Sequence, residues 1–416
     1  MFALVDGNNF YASCERVFAP ALRRKPLVVL SNNDGCAIAR SAEAKALGVG
    51  MAQPIHEVPR EVRRQLVVRS ANFTLYGDIS ARVLAILRDA APRVEPYSID
   101  ESFLDLGGLR DRIGFARALR ERVLRWTGIP NCVGIGPTKV LAKAANKLAK
   151  RGAGVVDLTD AAERALALAD YPTADLWGVG SRTAAKLAAR GIHTAAQLRA
   201  APPADILTAF GVTIARVQRE LQGRPCIALE EIEPDRKQII VSRSFGQRVD
   251  EHEAVAQALA TFAVRACEKL RRRGLVAGGV GIFANTDVFR PELPQHHPSR
   301  TVNLPRPTSD SRAVLTVVRR LLGGFLRDGR GYKKAGVVLH DLGRPERLQG
   351  DLFGGATIGD PVLMRVVDRI NERYGRNAAG FGATGWHDKP AWGMRQQALS
   401  PCYTTRWSDL PCALAW

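Results

Sequence analysis

The stretch PYSIDESFLDLGG, residues 96–108, places two adjacent acids, Asp100 and Glu101, between apolar runs that are typical of β-strands. Successive side chains of a regular strand point to opposite faces of its sheet, so adjacent acids within one strand could not serve one site. The runs RVEPYSI and SFLDL therefore predict two strands joined by a tight hairpin at Asp100–Glu101. A turn at that point lets both carboxylates reach the same side.

The composition predicts a folded protein of several domains that binds a polyanion. The chain has 416 residues, of which 46% are hydrophobic, and its 60 Lys and Arg against 41 acids give a formal charge of +19. Such an excess favours nucleic acid over a membrane surface, with a generally solvated basic protein as the alternative. The absence of long apolar runs and of a basic leader predicts no membrane partner and a cytoplasmic protein. The scattered cysteines predict reduced thiols and no zinc site.

The chain divides by its patterns into several segments. Up to about residue 150, short strand-like runs alternate with helical patterns, among them a short helix in 41–48 that is capped by Ser41 and ended by Gly48. Two helical stretches follow at 173–202 and 204–223, and the polar segment 230–238 reads as a linker. A second α/β module with three strand-like runs and two helical patterns extends to Asp341. A helix with Asp360 as its cap and Pro361 at its first position precedes the remaining tail.

Asp6 ends a first strand-like run, FALVD, and could converge with Asp100 and Glu101 at one edge of a sheet. Three carboxylates can share a site only if cations neutralise them, because like charges raise one another's pKa. Oxygen ligands of this kind suit Mg²⁺, and two such ions could clamp the attacking and leaving oxygens of a phosphoryl displacement. The alternative for each acid taken singly is a solvated turn or strand end.

Basic side chains and glycines supply candidate nucleic-acid contacts. The helix TKVLAKAANKLAK (138–150) carries its lysines four, four and three residues apart, so they form one stripe that no acid interrupts. A stripe of this kind fits a phosphate-facing surface, although a solvated face remains the alternative. LWGVGSRTAAKL (176–187) suits a helix–hairpin–helix that holds a DNA backbone, and VRACEKLRRRG (264–274) offers a second basic helix. The candidate DNA contacts are Lys139, Lys143, Gly178, Gly180, Arg182 and Arg243.

Taken together, these strings resemble the Y-family translesion DNA polymerases, and the resemblance covers nearly the whole chain. The motifs that carry it occur in the family's order: DGNNFYASCE, SNNDGCAIARSAEAKALGV, YSIDESF, VGIGPTKVLAKAANKLAK and LWGVG, with SRSFG (242–246) and LSPCYTTRWSDLP (399–411) pointing to one bacterial branch. The resemblance implies an α+β, multidomain right-hand polymerase. Its implied parts are palm and fingers (1–165, fingers about 20–75), a helix–hairpin–helix thumb (166–230), a linker (231–238), an α/β little finger (239–342) and a tail (343–416).

The resemblance also implies roles for individual residues. Asp6, Asp100 and Glu101 match the positions that bind two Mg²⁺, with the carbonyl of Gly7 as an extra ligand. Tyr11 matches the steric gate, a ring under the sugar that clashes with a ribonucleotide's 2′-OH, and Phe10 would stack nearby; an amphipathic core helix is the alternative for this stretch. Lys45 and Lys150 match positions that grip the incoming triphosphate. Ala42 departs from the tyrosine found at that position in many members, and Arg40 or Ser41 would have to compensate.

Partners are implied in the same way. They are primer–template DNA, a dNTP, a processed UmuD-like dimer, a RecA filament and the β sliding clamp. The implied processes are SOS mutagenesis and damage tolerance. The implied location is the bacterial cytoplasm, where the protein would be associated with the nucleoid when it is engaged on DNA. For the clamp, Gln349, Leu352 and Phe353 of QGDLF resemble the short peptide that bacterial polymerases insert into a clamp groove. Lesion choice, fidelity, the need for partners and chromosomal or plasmid origin do not follow from the sequence.

Three rival interpretations differ in what they leave unexplained. A catalytically inactive relative that acts as a DNA- and partner-binding scaffold would have lost the carboxylates, and all three acids are present. A nucleotide cyclase would share the metal pair but has no need of the GVG hairpin and the lysine helix. A nucleoid-type protein would explain the charge but not the acids.

The clamp peptide gives the first testable prediction. Leu352→Ala combined with Phe353→Ala removes the two apolar side chains of QGDLF and is expected to abolish clamp binding. Isothermal titration calorimetry with the purified clamp measures this, and an unchanged affinity would rule the motif out.

Overall fold

In a computed structural model of the protein, residues 1–231, 236–347, 359–375, 377–385 and 390–412 are described. They divide into two compact units. Within the described ranges, the first unit comprises residues 1–31, 35–231 and 398–412, and the second comprises 32–34 and the described residues between 236 and 397. Residues 349–353 of the predicted clamp peptide lie outside the described residues, as do residues 232–235 of the predicted linker.

The first unit contains the elements that the sequence predicted to carry the chemistry. Its strands are β1 (Phe2–Gly7), β2 (Leu27–Leu30), β3 (Ala37–Arg40), β4 (Val67–Ser70), β5 (Val94–Pro96), β6 (Glu101–Asp105), β7 (Asn131–Gly136) and β8 (Val155–Asp157). Its helices are α1 (Phe10–Phe18), α2 (Ala42–Ala46), α3 (Arg60–Gln65), α4 (Phe73–Ala90), α5 (Arg112–Thr127), α6 (Lys139–Ala149), α7 (Ala161–Ala169), α8 (Ser181–Ala188), α9 (Ala195–Ala200) and α10 (Pro203–Leu221).

A five-stranded sheet in the order β5-β6-β1-β7-β8 forms the centre of this unit. β1 runs antiparallel to both neighbours, and its register pairs Asp6 with Glu101. Alternation along the strands sends Val5 and Leu104 towards α4 and α5, whereas Leu4 and Phe103 pack with Ala142 of α6. Asp6 lies two residues after Leu4, and Glu101 lies two residues before Phe103. Because side chains alternate along a strand, both acids belong to the α6 face of the sheet.

Helix α6 approaches strand β7 closely because two glycines of the strand leave room for its backbone. A Cβ on Gly134 would lie 2.0 Å from the backbone nitrogen of Asn146, and one on Gly136 would lie 2.8 Å from that of Ala142. The Asn146 side chain donates hydrogen bonds to the carbonyls of Leu4 (3.1 Å) and Cys132 (2.8 Å). The helix is therefore fixed to both β1 and β7.

The remaining strands of the first unit form a three-stranded sheet in the order β3-β2-β4, with β2 and β4 parallel. Ser41 caps α2 by accepting a hydrogen bond from the Ala44 nitrogen at 3.3 Å, which confirms the predicted short helix. Helices α7–α10 form a separate apolar core with Val140 and Leu141 of α6. Helices α8 and α9 lie in the predicted helical stretch 173–202, and α10 corresponds to the predicted stretch 204–223.

The second unit is a four-stranded antiparallel sheet with helices on one face. Its elements are β9 (Gln238–Val249), α11 (His252–Arg272), β10 (Val276–Thr286), β11 (Ser299–Thr308), α12 (Ser311–Leu321), β12 (Tyr332–Gly343) and α13 (Pro361–Tyr374), and the strand order is β11-β10-β12-β9. The sequence predicted three strands here, and β11 was missed because Pro305 and Pro307 argue against a strand. At the edge of a sheet, where β11 lies, proline is tolerated.

Helix α13 confirms the predicted cap, since Asp360 accepts hydrogen bonds from the nitrogens of Val362 (2.9 Å) and Leu363 (3.0 Å). A two-pronged ion pair joins this helix to α11, with Arg271 nitrogens 2.7 and 2.6 Å from the Asp368 carboxylate. Each helix in the described ranges is too short or too polar for a membrane span.

The packing of α6 on β7 predicts that Gly134→Ala destabilises the first unit. The new methyl would clash with helix backbone rather than with a movable side chain, and we expect a loss of about 3 kcal/mol in unfolding free energy. Gly152→Ala is the matched control, since a Cβ there meets nothing within 4 Å. Urea unfolding followed by circular dichroism measures both, and equal stability of the two variants would contradict the predicted close packing.

Candidate active site

The carboxylate of Asp6 is buried on the α6 face of the central sheet, at 6% exposure. It accepts a hydrogen bond from Lys150 Nζ at 2.6 Å. Burial raises the pKa of Asp6 to about 7 even though the Lys150 charge opposes it, and the charges of Glu101 and Asp100 add to the rise. Asp6 is thus an acid whose ionised form needs a nearby positive charge.

Asp100 and Glu101 lie where the sequence predicted a hairpin. The turn between β5 and β6 is closed by Ser98, whose hydroxyl accepts from the Glu101 nitrogen (3.1 Å) and donates to Asp100 Oδ1 (2.8 Å). The Gly7 nitrogen donates to the Asp100 carbonyl at 2.9 Å, which ties the turn to the end of β1. The predicted hairpin is present, but its turn lies over residues 97–100, so that Glu101 already belongs to β6 and pairs with Asp6 while Asp100 lies in the turn next to it.

Each lysine of the α6 stripe has an acidic partner, so the predicted unpaired lysine surface is wrong. Lys143 Nζ lies 3.0 Å from Glu101, Lys147 Nζ lies 2.5 Å from Asp175, and Lys150 pairs with Asp6. Lys139 is 1% exposed and forms a buried ion pair with Glu95. The acids come from elements distant in sequence, which no local pattern reveals.

Lys139 cannot contact DNA in this arrangement, and that prediction is wrong. Glu95 also accepts from the Glu230 nitrogen at 2.7 Å, and Lys139 Nζ lies 5.1 Å from the centre of the Phe103 ring. The pair is therefore a structural element beneath the site. Lys143, by contrast, is only partly buried and pairs with Glu101. Its contact with DNA stays a prediction.

The carboxylates of Asp6, Asp100 and Glu101 are chemically suited to bind a divalent cation. Among the described residues, no three acid, His or Cys side chains are close enough to form a preformed metal site. Carboxylate oxygens are nevertheless the ligands that hard divalent ions prefer, and the raised pKa of Asp6 shows that positive charge would stabilise its ionised form. Lys150 supplies that charge to Asp6 in this structure, and Lys143 pairs with Glu101.

Basic side chains gather beside the acids at the start of α1. Lys45 Nζ donates to Asn9 Oδ1 at 2.6 Å, and its pKa is lowered by partial burial and by the charges of Arg40 and Lys150. Three cations this close would bind a polyphosphate favourably. Asn9 was missed in the sequence, and its left-handed backbone (φ 49°) at the start of α1 is not visible in a local pattern.

Ser41 cannot replace the missing tyrosine at Ala42. It is completely buried, and its hydroxyl caps α2 and accepts from the Leu27 nitrogen at 3.0 Å. That prediction is wrong, because the hydroxyl is used within the fold. Arg40 is half-buried and donates a hydrogen bond to the Val49 carbonyl at 2.7 Å. It remains a candidate to compensate for the tyrosine that Ala42 replaces.

The predicted aromatic pair lies in α1, next to the carboxylates. Phe10 is buried, and its ring centre lies 6.0 Å from that of Tyr11, which is half-buried. Tyr11 stacks on Tyr76 of α4 with ring centres 4.4 Å apart. The sequence also missed Tyr97 and Trp177, whose rings lie 4.5 and 5.6 Å from Lys143 Nζ and form an aromatic wall beside it.

The predicted DNA contacts outside α6 fall on two surfaces. Gly178 and Gly180 are exposed beside buried Val179, Gly178 has φ +88°, and a Cβ on Gly180 would meet nothing within 4 Å. Arg182 is exposed in the first turn of α8. Arg243 shares the helix-covered face of β9 with Val241 and borders α11 residues. These contacts stay predictions.

The fold is that of the Y-family DNA polymerases. A Y-family polymerase chimera, Dbh-Dpo4(243-245)-Dbh, superposes with a TM-score of 0.66 at 22% identity, covering 83% of this chain and 100% of that one. DinB from Sulfolobus solfataricus superposes at 0.54 and 21% identity, covering 82% and 98%. The predicted α+β right-hand fold class is confirmed.

The chain belongs to the impB/mucB/samB family. The family model matches residues 5–147, that of its C-terminal domain matches 236–352, and a domain of unknown function matches 361–413. Protein ImpB of Salmonella typhimurium and Protein UmuC of its strain LT2 are each 44% identical over 99% of both chains. DNA polymerase IV of Moorella thermoacetica is 32% identical over 89% of this chain and 93% of its own. The bacterial branch indicated by the sequence is therefore that of UmuC, and this prediction is confirmed.

The pair beneath the site predicts that Glu95→Gln is strongly destabilising. The substitution keeps the shape of the side chain but leaves Lys139 buried without a counter-charge, at an expected cost of about 3 kcal/mol. Glu231→Gln is the control, because its partner Arg93 is largely exposed and stability should not change. Thermal and urea unfolding measure both, and a stable Glu95→Gln protein would show that Lys139 has another partner.

Proposed function

We propose that the protein is an error-prone translesion DNA polymerase, which adds dNTPs to a primer 3′-OH under the direction of a template. The observation that carries this proposal is the pairing of Asp6 with Glu101 in the β1–β6 register, with Asp100 in the adjoining turn and the cations Lys45 and Lys150 close to Asp6. A cluster of acids beside a cluster of cations suits phosphoryl transfer, since the reaction needs both metal ligands and counter-charges for a triphosphate.

The family supports this activity. Two 44% identical relatives carry the names ImpB and UmuC, a 32% identical one is a DNA polymerase IV, and one structural neighbour is an insertion ternary complex of Dbh DNA polymerase. A catalytically inactive relative is the alternative. The presence of all three carboxylates favours the enzyme.

A divalent metal cofactor follows from this class of enzyme, and we propose two Mg²⁺ held by Asp6, Asp100 and Glu101 with the Gly7 carbonyl. Bound ions of this kind activate a 3′-OH for attack and neutralise the leaving pyrophosphate. The chain's own contribution is to set Asp6 opposite Glu101 through the β1–β6 register and to hold Asp100 in the adjoining turn through the hydrogen bonds of Ser98.

The basic residues have separate proposed roles. Lys45, Lys150 and Arg40 bind the triphosphate, and to do so Lys150 exchanges its contact with Asp6 for phosphate oxygens. Tyr11 lies at the start of α1, where its ring would close the space beside the sugar C2′ and exclude a ribonucleotide. The exposed backbone at Gly178–Gly180 holds the DNA strand without reading its sequence.

The domain assignment belongs to the same proposal. Residues 1–165 form palm and fingers, 166–230 the thumb, 239–342 the little finger and 343–416 the tail, with 231–238 as linker. Primer–template DNA and a dNTP are the substrates. The β clamp, a processed UmuD-like dimer and a RecA filament are the proposed protein partners, in a cytoplasmic, nucleoid-associated setting during SOS mutagenesis.

Substitution of the acids tests the function directly. Asp6→Asn and Glu101→Gln keep side-chain size but remove ligand charge, and we expect primer extension with Mg²⁺ to fall by about 100-fold or more. Glu121→Gln is the control, since this acid is exposed on α5, away from the central sheet's acids. Extension is measured on undamaged and abasic templates, with and without the proposed partners.

Two outcomes would contradict the proposal. Extension by the acid variants at the wild-type rate would place the chemistry elsewhere. An inactive wild-type protein under every partner condition, with DNA binding retained, would favour the scaffold alternative.

A further inference from the structure

A short stretch of the tail, residues 398–403, packs against the first unit, and we call it the tail segment. It continues the β3-β2-β4 sheet beyond the edge strand β4, through a parallel bridge between Ser70 and Leu399. The Ser70 nitrogen donates to the Ala398 carbonyl, and the Ala398 nitrogen donates to Ser70 Oγ, both at 3.0 Å. The segment is thus built into the fold by backbone hydrogen bonds.

The first turn of α4 is bound to the same segment through Asn72. Its amide nitrogen lies 3.1 Å from the Ser400 carbonyl, 3.0 Å from Ser400 Oγ and 3.1 Å from the Pro401 carbonyl. Its amide oxygen caps α4 by accepting from the Leu75 nitrogen at 3.1 Å. One buried side chain therefore joins the helix start to the tail segment.

Glu15 of α1 connects the tail segment to Tyr76. This carboxylate is 1% exposed, and its Oε1 accepts from Ser400 Oγ at 3.0 Å and from Tyr76 Oη at 2.7 Å. Burial raises the pKa of Glu15, and the two hydroxyl donors oppose that rise. Arg69 Nε lies 3.9 Å from the other carboxylate oxygen of Glu15. Loss of the Ser400 hydroxyl would still remove one of the two donors to the buried Oε1, which is costly, so Ser400 helps to fix the position of Glu15.

The contacts continue from Tyr76 to the residue proposed to select the sugar. Tyr76 stacks on Tyr11 with an angle of 15° between ring planes, and the ring of Phe73 lies 6.0 Å from Tyr11. At the far end of α1, Tyr403 stacks on Phe18 with ring centres 4.9 Å apart. The tail segment therefore contacts α1 at its end and reaches the start of α1 through Glu15 and Tyr76.

We propose that the tail segment fixes the position of Tyr11 and thereby sets how strictly the enzyme selects deoxyribonucleotides. Ser400, Asn72 and Glu15 act as positioning residues, since none of them is among the proposed metal- or nucleotide-binding residues and together they hold the two helices whose rings meet at Tyr11. This proposal rests on the proposed function, in particular on the role of Tyr11. It gives a task to part of the region that the domain of unknown function matches.

The test compares sugar selectivity in full-length variants. Ser400→Ala removes the hydroxyl that Glu15 accepts from, and we expect the ratio of kcat/KM for dNTP over rNTP to fall by about tenfold. Tyr403→Ala, at a half-buried position, should shift the ratio in the same direction. Ser408→Ala is the matched control, because that exposed hydroxyl bonds Asp409 within the tail, and the ratio should not change. Hydrogen exchange of the α1 amides should rise about tenfold in Ser400→Ala and should not change in Ser408→Ala.

Tyr11→Ala tests whether Ser400 acts on sugar selectivity through Tyr11. Selectivity should be lost in this variant, and Ser400→Ala added to it should cause no further change, because both act through one ring. An unchanged dNTP/rNTP ratio in Ser400→Ala, with or without faster hydrogen exchange in α1, would overturn this proposal. It would not contradict the proposed polymerase function. An independent, additive loss in the double variant would also overturn it. A wild-type protein that incorporates no nucleotide would instead overturn the proposed function, and this inference with it.

Discussion

Helix α6 lies directly on strands β1 and β7 because Gly134 and Gly136 carry no side chain, and the candidate active site depends on that close contact. The helix brings Lys143 and Lys150 within reach of Glu101 and Asp6, and Asn146 fixes its height above the sheet. A helix at an ordinary distance from the sheet would leave Asp6 without its counter-charge. The alternation of β1 and β6 matters equally, since it turns both acids towards the helix rather than towards α4 and α5.

The charges on the α6 face of the central sheet form two groups that differ in burial. Glu95 and Lys139 are buried together, and each neutralises the other. Asp6 and Glu101 pair with lysines that remain partly exposed. Burial raises the pKa of Asp6 to about 7, and the charge of Lys150 opposes that rise. The same helical stretch supplies the lysines of both groups.

Local patterns predicted the hairpin at Asp100–Glu101, the cap of α2 at Ser41 and that of α13 at Asp360, because each depends on neighbours in sequence. They could not predict the partner of Lys139, since Glu95 lies 44 positions away, and an unbroken row of lysines resembles an exposed face. Ser41 shows the same limit, because its role as a cap was predicted while its complete burial was not. The strand β11 was missed because its prolines are acceptable only at an edge, which is a property of the sheet and not of the segment. Motif resemblance supplied the roles of Tyr11 and Lys45, which no periodicity indicates.

The hydrogen bond between Ser400 and Glu15 joins residues 385 positions apart, and this has a consequence for biosynthesis. During translation, which proceeds at about 5–20 residues per second, α1 and α4 leave the ribosome long before the tail segment does. Until then Glu15 lacks one of its donors, and the aromatic stack at Tyr11 lacks its outer support. A nascent or prematurely terminated chain can thus contain every acid of the site and still lack the contacts that hold the ring in place. The hydrogen bond to Glu15 can therefore form only after Ser400 has been synthesised and has left the ribosome.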